Sequence, residues 1–304
     1  MLLLCLSFVS GRGEPPPAGG AADGGSGTVT DGDTAPAASG TAAGRVLTLS
    51  VLGDSISTYD SISNGPAADT SNSTIRGNEA YYVDGFFGIR PSDTWWQRTA
   101  DALGLELLVN NSWSGSCIFL PGGDSYSTGY GDRCVNLHDD TGENAGQEPD
   151  IIAVYLGSND FFSYPGDWGS AEDADPDAFV KVQGGEAVFS RSPGTTAEAC
   201  AVMLRRITDR YPNAQVYLFT LPHMVSELTD PEPFNELLRT LAGRYGAIVV
   251  DLYADSAITA DPASLSLYYV DGQVHPSAQG MEAIADCFIA ALKKNCPRLA
   301  AQRP

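Results

Sequence analysis

Five short apolar runs return along the chain with longer helical patterns between them, and this alternation limits the folds open to it. The runs are 46–52 (VLTLSVL), 105–109 (LELLV), 151–156 (IIAVYL), 216–221 (VYLFTL) and 248–252 (IVVDL), all of strand length. Residues 151–156 and 248–250 show no polar alternation, the pattern of parallel strands covered on both faces. Helices are predicted at 94–103, 196–210, 233–244 and 277–293. The last of these is opened by His275-Pro276 and closed by Lys293-Lys294 ahead of Pro297. Strand and helix in turn predict the α/β class: three layers, α/β/α, around a doubly wound five-stranded parallel sheet of flavodoxin-like order. Such sheets bind ligands at the carboxyl ends of their strands. Two aperiodic stretches rich in Gly, Asp and Tyr, 118–149 and 161–193, leave strands on that side.

The chain before the first run has a different composition. Residues 13–44 contain almost no large apolar side chain; burial there cannot offset chain entropy, so a flexible tether is expected. Residues 1–12 open with a nearly unbroken apolar stretch, too short to span a bilayer, and small residues follow. An export signal is expected, which makes the protein secreted or associated with the cell envelope. Neither lipoprotein pattern is good: Cys5 follows three leucines, and Val9-Ser10-Gly11 is followed by Arg12 where a cysteine is required. The folded domain is then 45–304. Five of the six cysteines follow the leader, and none has paired zinc-site spacing. Cys117 with Cys134 and Cys287 with Cys296 are candidate disulfides; buried free thiols are the other reading. Acidic residues number 38 against 17 basic, a net charge of −21. That field repels phosphate backbones and anionic lipid surfaces, which argues against a nucleic-acid partner. No apolar run has the length of an integral membrane span.

Four local patterns fall at strand ends. Gly53-Asp54-Ser55 follows the first run, where a glycine permits a tight turn that leaves the Ser55 hydroxyl at a helix start. Gly115, in Asn110-Asn111-Ser112-Trp113-Ser114-Gly115-Ser116, follows the second run and can bring a backbone N–H close to a reacting group. Gly157-Ser158-Asn159-Asp160 follows the third, and the Asn159 amide can donate to a developing oxyanion. Asp271-Gly272-Gln273-Val274-His275-Pro276 precedes the last helix and places an acid beside an imidazole, the side chain best suited to deprotonate a serine near neutral pH. Each pattern alone is an ordinary turn. His138 and His223 are the only other histidines and compete with His275 as base.

Together, and in this order, the four patterns resemble the SGNH (GDSL-type) hydrolases over the whole region from 46 to the last helix. The resemblance implies a three-layer α/β/α domain and hydrolysis of carboxylic esters, chiefly acyl groups on lipids or sugars. By position, Ser55 resembles the nucleophile, His275 the base, and the Ser55 N–H, Gly115 and Asn159 the oxyanion donors. Asp54, Trp113 and Asp160 are the candidate substrate contacts. One departure stands out. The family places its acid three residues before the histidine, where this chain has Gly272. Either Gly272 absorbs one extra residue and Asp271 completes a triad, or a backbone carbonyl orients the ring of a Ser–His dyad. No metal or organic cofactor is implied.

The expected substrate is a small ester or an acylated glycan. Tyr81-Tyr82, Trp95-Trp96, Trp113 and Tyr126 lie where they can stack on sugar rings, with core packing as the alternative. No long apolar lid segment accompanies the motifs. Compartment and family analogy imply removal of small acyl groups such as acetyl from extracellular carbohydrate. A lipid esterase or thioesterase is the alternative within the class; a catalytically inactive glycan-binding protein is the alternative outside it.

Overall fold

The protein is described by a computed structural model at residues 45–60, 62, 80–83, 85, 87–122, 128–139, 145–163, 166–183, 186–224 and 230–300 (backbone alone at 182, 183 and 186). The expected export signal and tether, with Cys5, and Tyr126 lie outside the described residues. The strands are β1 Thr48–Gly53, β2 Glu106–Ser112, β3 Ile151–Tyr155, β4 Val180–Gln183, β5 Glu186–Phe189, β6 Gln215–Phe219 and β7 Ile248–Val250. The helices are α1 Trp95–Leu103, α2 Ser158–Ser163, α3 Thr196–Arg210, α4 Glu232–Arg244, α5 Leu252–Asp255, α6 Pro262–Tyr268, α7 Ala278–Asn295 and α8 Pro297–Ala300. Five strands form one parallel sheet in the order β2-β1-β3-β6-β7, while β4 and β5 form a separate antiparallel hairpin.

This is the doubly wound sheet that the apolar runs predict, and burial follows strand position. In β1 and β3 every residue is buried, because helical layers cover both faces of the central strands. Strand β7 departs from expectation: Ile248 and Val249 are only partly buried. It is an edge strand, with a neighbour on one side alone. The 248–252 run is also shorter than expected as a strand, since Asp251 caps α5 and accepts the Ala254 N–H.

Helices α1 and α7 lie against each other, as do α3 and α4. Under the sheet, Trp95 of α1 and Phe288 of α7 meet Phe219 of β6, with ring centroids 5.1 Å apart in both pairs. Trp95 and Trp96 have no exposed surface, so core packing and not sugar stacking is their role. Their indole N–H groups donate to Ser57 Oγ and to the Ser57 carbonyl, which anchors the turn after β1 to the core. The 161–193 stretch, expected to be aperiodic, contains the β4–β5 hairpin. Its Phe179 and Val180 pack on Val202 of α3.

The chain leaves β1 toward β2 on one side and later enters β3 on the other, so the switch point lies between the carboxyl ends of β1 and β3. Gly53 closes β1 there. A Cβ at this position would stand 2.5 Å from Ser57 Cβ, 2.6 Å from Ser57 Oγ and 2.7 Å from Ser112 Oγ. Three close contacts of this kind cannot be relieved by one rotamer change. Gly53→Ala is therefore expected to cost about 1–3 kcal/mol by overpacking, read from urea unfolding, and to displace Ser55.

Candidate active site

Asp54 caps the single 3-10 turn Ser55–Ser57, its Oδ1 accepting the Ile56 N–H at 3.0 Å. This short connection from a buried strand holds Ser55 at the sheet edge with 8% of its surface exposed. Ser55 Oγ lies 2.9 Å from His275 Nε2. On the far side of the ring, His275 Nδ1 lies 2.6 Å from Asp271 Oδ2. Asp271 Oδ1 accepts the N–H groups of Gln273, Val274 and His275. The loop has room for its extra residue because Gly272 sits at φ +70°, which costs a residue without a side chain little. Burial pushes the Asp271 carboxyl up, but the His275 hydrogen bond and the Gln273 and Val274 N–H groups outweigh it and hold the group at about 2. Asp271 is thus a carboxylate at neutral pH, facing the ring nitrogen opposite the serine. Loop 269–277 is tied down by Val270 N–H to the His275 carbonyl and by Ser277, which caps α7.

The Gly115 and Asn159 segments meet this group from β2 and β3. The N–H groups of Ser55 and Gly115 make no hydrogen bond among the described residues, and Gly115 is exposed. The Asn159 Nδ2 donates to the Ser116 carbonyl at 2.9 Å. That bond fixes the amide and leaves its second N–H.

Two expected substrate contacts are corrected. Asp54 and Asp160 have no exposed surface. Asp160 accepts the Ile118 and Phe119 N–H groups and the Thr196 hydroxyl, so it fastens the loop that carries Gly115. Burial raises its carboxyl to about 7, against those same hydrogen bonds. Asp54 is raised to about 6 by burial, which the Ile56 N–H opposes; its Oδ2 has no hydrogen bond among the described residues. Trp113 keeps 8% of its surface and donates its indole N–H to Asn111 Oδ1.

Arg133 is a member of this region that sequence reasoning missed. It lies on the 3-10 turn Asp132–Val135, inside a stretch read as aperiodic. Its Nη2 donates to the Gly53 and Asn111 carbonyls at 2.7 and 2.6 Å. Burial lowers the guanidinium to about 9, against the pull of the Asp54 charge, and it remains a cation at neutral pH. No local pattern marks this residue, since its partners are backbone carbonyls supplied by two distant strands.

The other histidines stand elsewhere: His138 is bonded to the Tyr211 hydroxyl and His223 stacks on Tyr253. All five described cysteines are free thiols, so the free-thiol reading holds and neither candidate disulfide forms. Cys287 lies within α7 and Cys296 caps its end, so a helical rise of about 1.5 Å per residue carries them beyond disulfide reach. Cys134 directs its thiol at the Gly131 carbonyl, 3.1 Å away. No described helix is long and apolar enough to cross a membrane.

The sequence profile of the GDSL-like lipase/acylhydrolase family matches residues 51–283, well over half of the chain. The chain belongs to this family. It is an ester-hydrolysing serine hydrolase. A GDSL-like lipase of Bacteroides ovatus has the same fold with a TM-score of 0.50 and 21% identity, over 83% of this chain and 100% of that one. A second, from Bacteroides uniformis, gives a TM-score of 0.50 and 22% identity over 82% and 96% of the two chains. A Lactobacillus plantarum protein gives 0.51 and 18% over 83% and 98%. No curated protein sequence matches the chain.

The buried Asp54 gives a signed pH effect. Its carboxyl goes from 3.8 in the unfolded chain to about 6 in the folded one, so the native state holds the proton more tightly. Stability from this group is full below about pH 4 and is lost as pH rises through about 6. Asp54→Asn stays neutral throughout. Urea midpoints should show the variant gaining on the wild type between pH 4 and pH 7, by up to about 3 kcal/mol.

Proposed function

We propose that Ser55 is the nucleophile, His275 the general base and Asp271 the orienting acid of a hydrolase that removes small acyl groups, acetyl foremost, from extracellular carbohydrate. The observation that carries the catalytic part is the unbroken line from Ser55 Oγ through both ring nitrogens to Asp271, at 2.9 and 2.6 Å. The Asp271 carboxylate favours the tautomer with hydrogen on Nδ1, leaving the Nε2 lone pair toward Ser55. His275 takes the serine proton as Oγ attacks the ester carbonyl. Negative charge then builds on the carbonyl oxygen, and the Ser55 N–H, the Gly115 N–H and the remaining Asn159 amide N–H receive it. Collapse expels the alcohol, which takes the proton from His275 and leaves an acyl-enzyme. Water, deprotonated by His275, attacks that ester; the bond to Ser55 Oγ then breaks, Oγ takes the proton back from His275, and the acid is free.

The substrate part rests on chemistry around these groups. Trp113, two residues from Gly115 in the chain, keeps 8% of its surface, and an aromatic ring in this loop is of the kind that binds sugars. No long apolar stretch accompanies the motifs to sheath a fatty chain, and the net charge of −21 suits a neutral substrate better than an anionic lipid surface. The apolar leader at 1–12 supports an exported site of action. A binding module would need no aligned Ser, His and Asp.

Acetate release from acetylated polysaccharide should exceed hydrolysis of long-chain esters; preference for long chains would give the lipid-esterase reading instead. A fluorophosphonate probe should label Ser55. Asn159→Ala should lower kcat by about two to three decades with an unchanged thermal unfolding midpoint.

A further inference from the structure

The two hydrogen bonds of His275 lie along the edge of its ring, and neither restrains the ring's face. Tyr81 lies flat on that face, with centroids 3.4 Å apart and planes 7° from parallel. A tyrosine so placed cannot also stack a sugar on that face, so the expected platform role passes to another function. The backbone shows how Tyr81 is held. Its N–H donates to Thr58 Oγ1 at 2.9 Å, and Thr58 Oγ1 donates to the Ser55 carbonyl at 2.8 Å. The next residue, Tyr82, is buried and donates its hydroxyl to the Pro276 carbonyl at 2.9 Å. The Tyr81-Tyr82 pair thus spans from the serine turn to the residue after the histidine.

Behind Tyr81 stands Phe87, with centroids 6.0 Å apart and planes 16° from parallel. Phe87 has φ +54°, the one described residue other than glycine in the left-handed region. That conformation is unfavourable for a bulky side chain, and persists where surrounding structure imposes it. Three rings therefore stand in line, Phe87, Tyr81 and His275, with only the histidine reaching the serine.

A neutral imidazole gains little from a phenol face, whereas an imidazolium is attracted by the negative quadrupole of that face. In the proposed reaction His275 becomes an imidazolium each time it takes a proton, from Ser55 and then from water. The other charged groups facing the ring are Asp271 on its own loop and the buried Asp54 on the serine turn. We propose that Tyr81 is a positioning residue for the hydrolysis, keeping the His275 ring in line between Ser55 and Asp271 and favouring its protonated form during acyl transfer. This rests on His275 being the base.

Purified full-length wild type is first tested with a fluorophosphonate probe and with p-nitrophenyl acetate. Absence of both labelling and turnover would overturn the assignment of Ser55 and His275, and this proposal with it. In an active enzyme, Tyr81→Leu should lower kcat by about three- to thirtyfold while KM stays within about twofold, and Tyr81→Phe, which keeps the ring face, should stay within about twofold of wild type in kcat. Tyr81→Met repeats the leucine test should that variant fold poorly, as judged by its unfolding midpoint. Three results would overturn the proposal: an unchanged kcat in Tyr81→Leu, a raised KM with kcat intact, or a loss in Tyr81→Phe equal to that in Tyr81→Leu.

Discussion

The carbonyl oxygen of Gly53 accepts three hydrogen bonds: from Arg133 Nη2 at 2.7 Å, from the Trp113 N–H at 3.1 Å and from Ser116 Oγ at 3.2 Å. Trp113 and Ser116 flank Gly115, so the loop bearing one proposed oxyanion donor hangs from the residue two before Ser55. Arg133 adds a charge to that junction and bonds the Asn111 carbonyl of β2 as well. The carboxyl ends of two strands are clamped to one atom. Asn159 and Asp160 hold the same loop from the β3 side. Removing the Arg133 side chain would leave the Gly53 carbonyl to its two remaining donors and take a charge-assisted bond from the Asn111 carbonyl, at a cost of about 1–3 kcal/mol.

Three aspartates near Ser55 differ by environment alone. Asp54 and Asp160 are fully buried, and burial raises both. Asp271 is partly open to solvent and meets a ring nitrogen and three N–H groups, which hold it low. The first two act on the backbone as caps and loop ties. Only the third faces a group that gains charge in the proposed reaction. A neutral or poorly solvated acid serves as a tether, and an ionised one serves opposite an imidazole.

The sheet was legible because its central strands are apolar without interruption, and the order of the four turn patterns follows from their places at strand ends. The Asp271–His275 pairing was open in the sequence, since spacing alone does not tell whether a loop bulges; the 2.6 Å contact between Asp271 Oδ2 and His275 Nδ1 shows it, with Gly272 at φ +70° taking up the extra residue. Asp54 and Asp160 were misread as substrate contacts because a polar residue in a motif carries no mark of which way it points. Arg133 and the His275-facing ring of Tyr81 were out of reach for another reason. Each acts through partners far along the chain, at backbone atoms and a ring face, and no residue pattern encodes such contacts. Of the two cysteine readings the free thiols stand, because a disulfide needs its sulfurs brought together and α7 holds Cys287 and Cys296 apart.

Ser55 and His275 are 220 positions apart in the chain. One precedes most of the sheet and the other follows its last strand, so their contact is among the longest loops the fold must close. Such closure carries its entropy cost before any reward. Hydrolytic competence therefore arrives at the end of folding, after every sheet strand has found its place. A nascent or clipped chain that stops short of the loop before α7 would have the serine turn without His275. Such a species would lack the proposed Ser55–His275 contact.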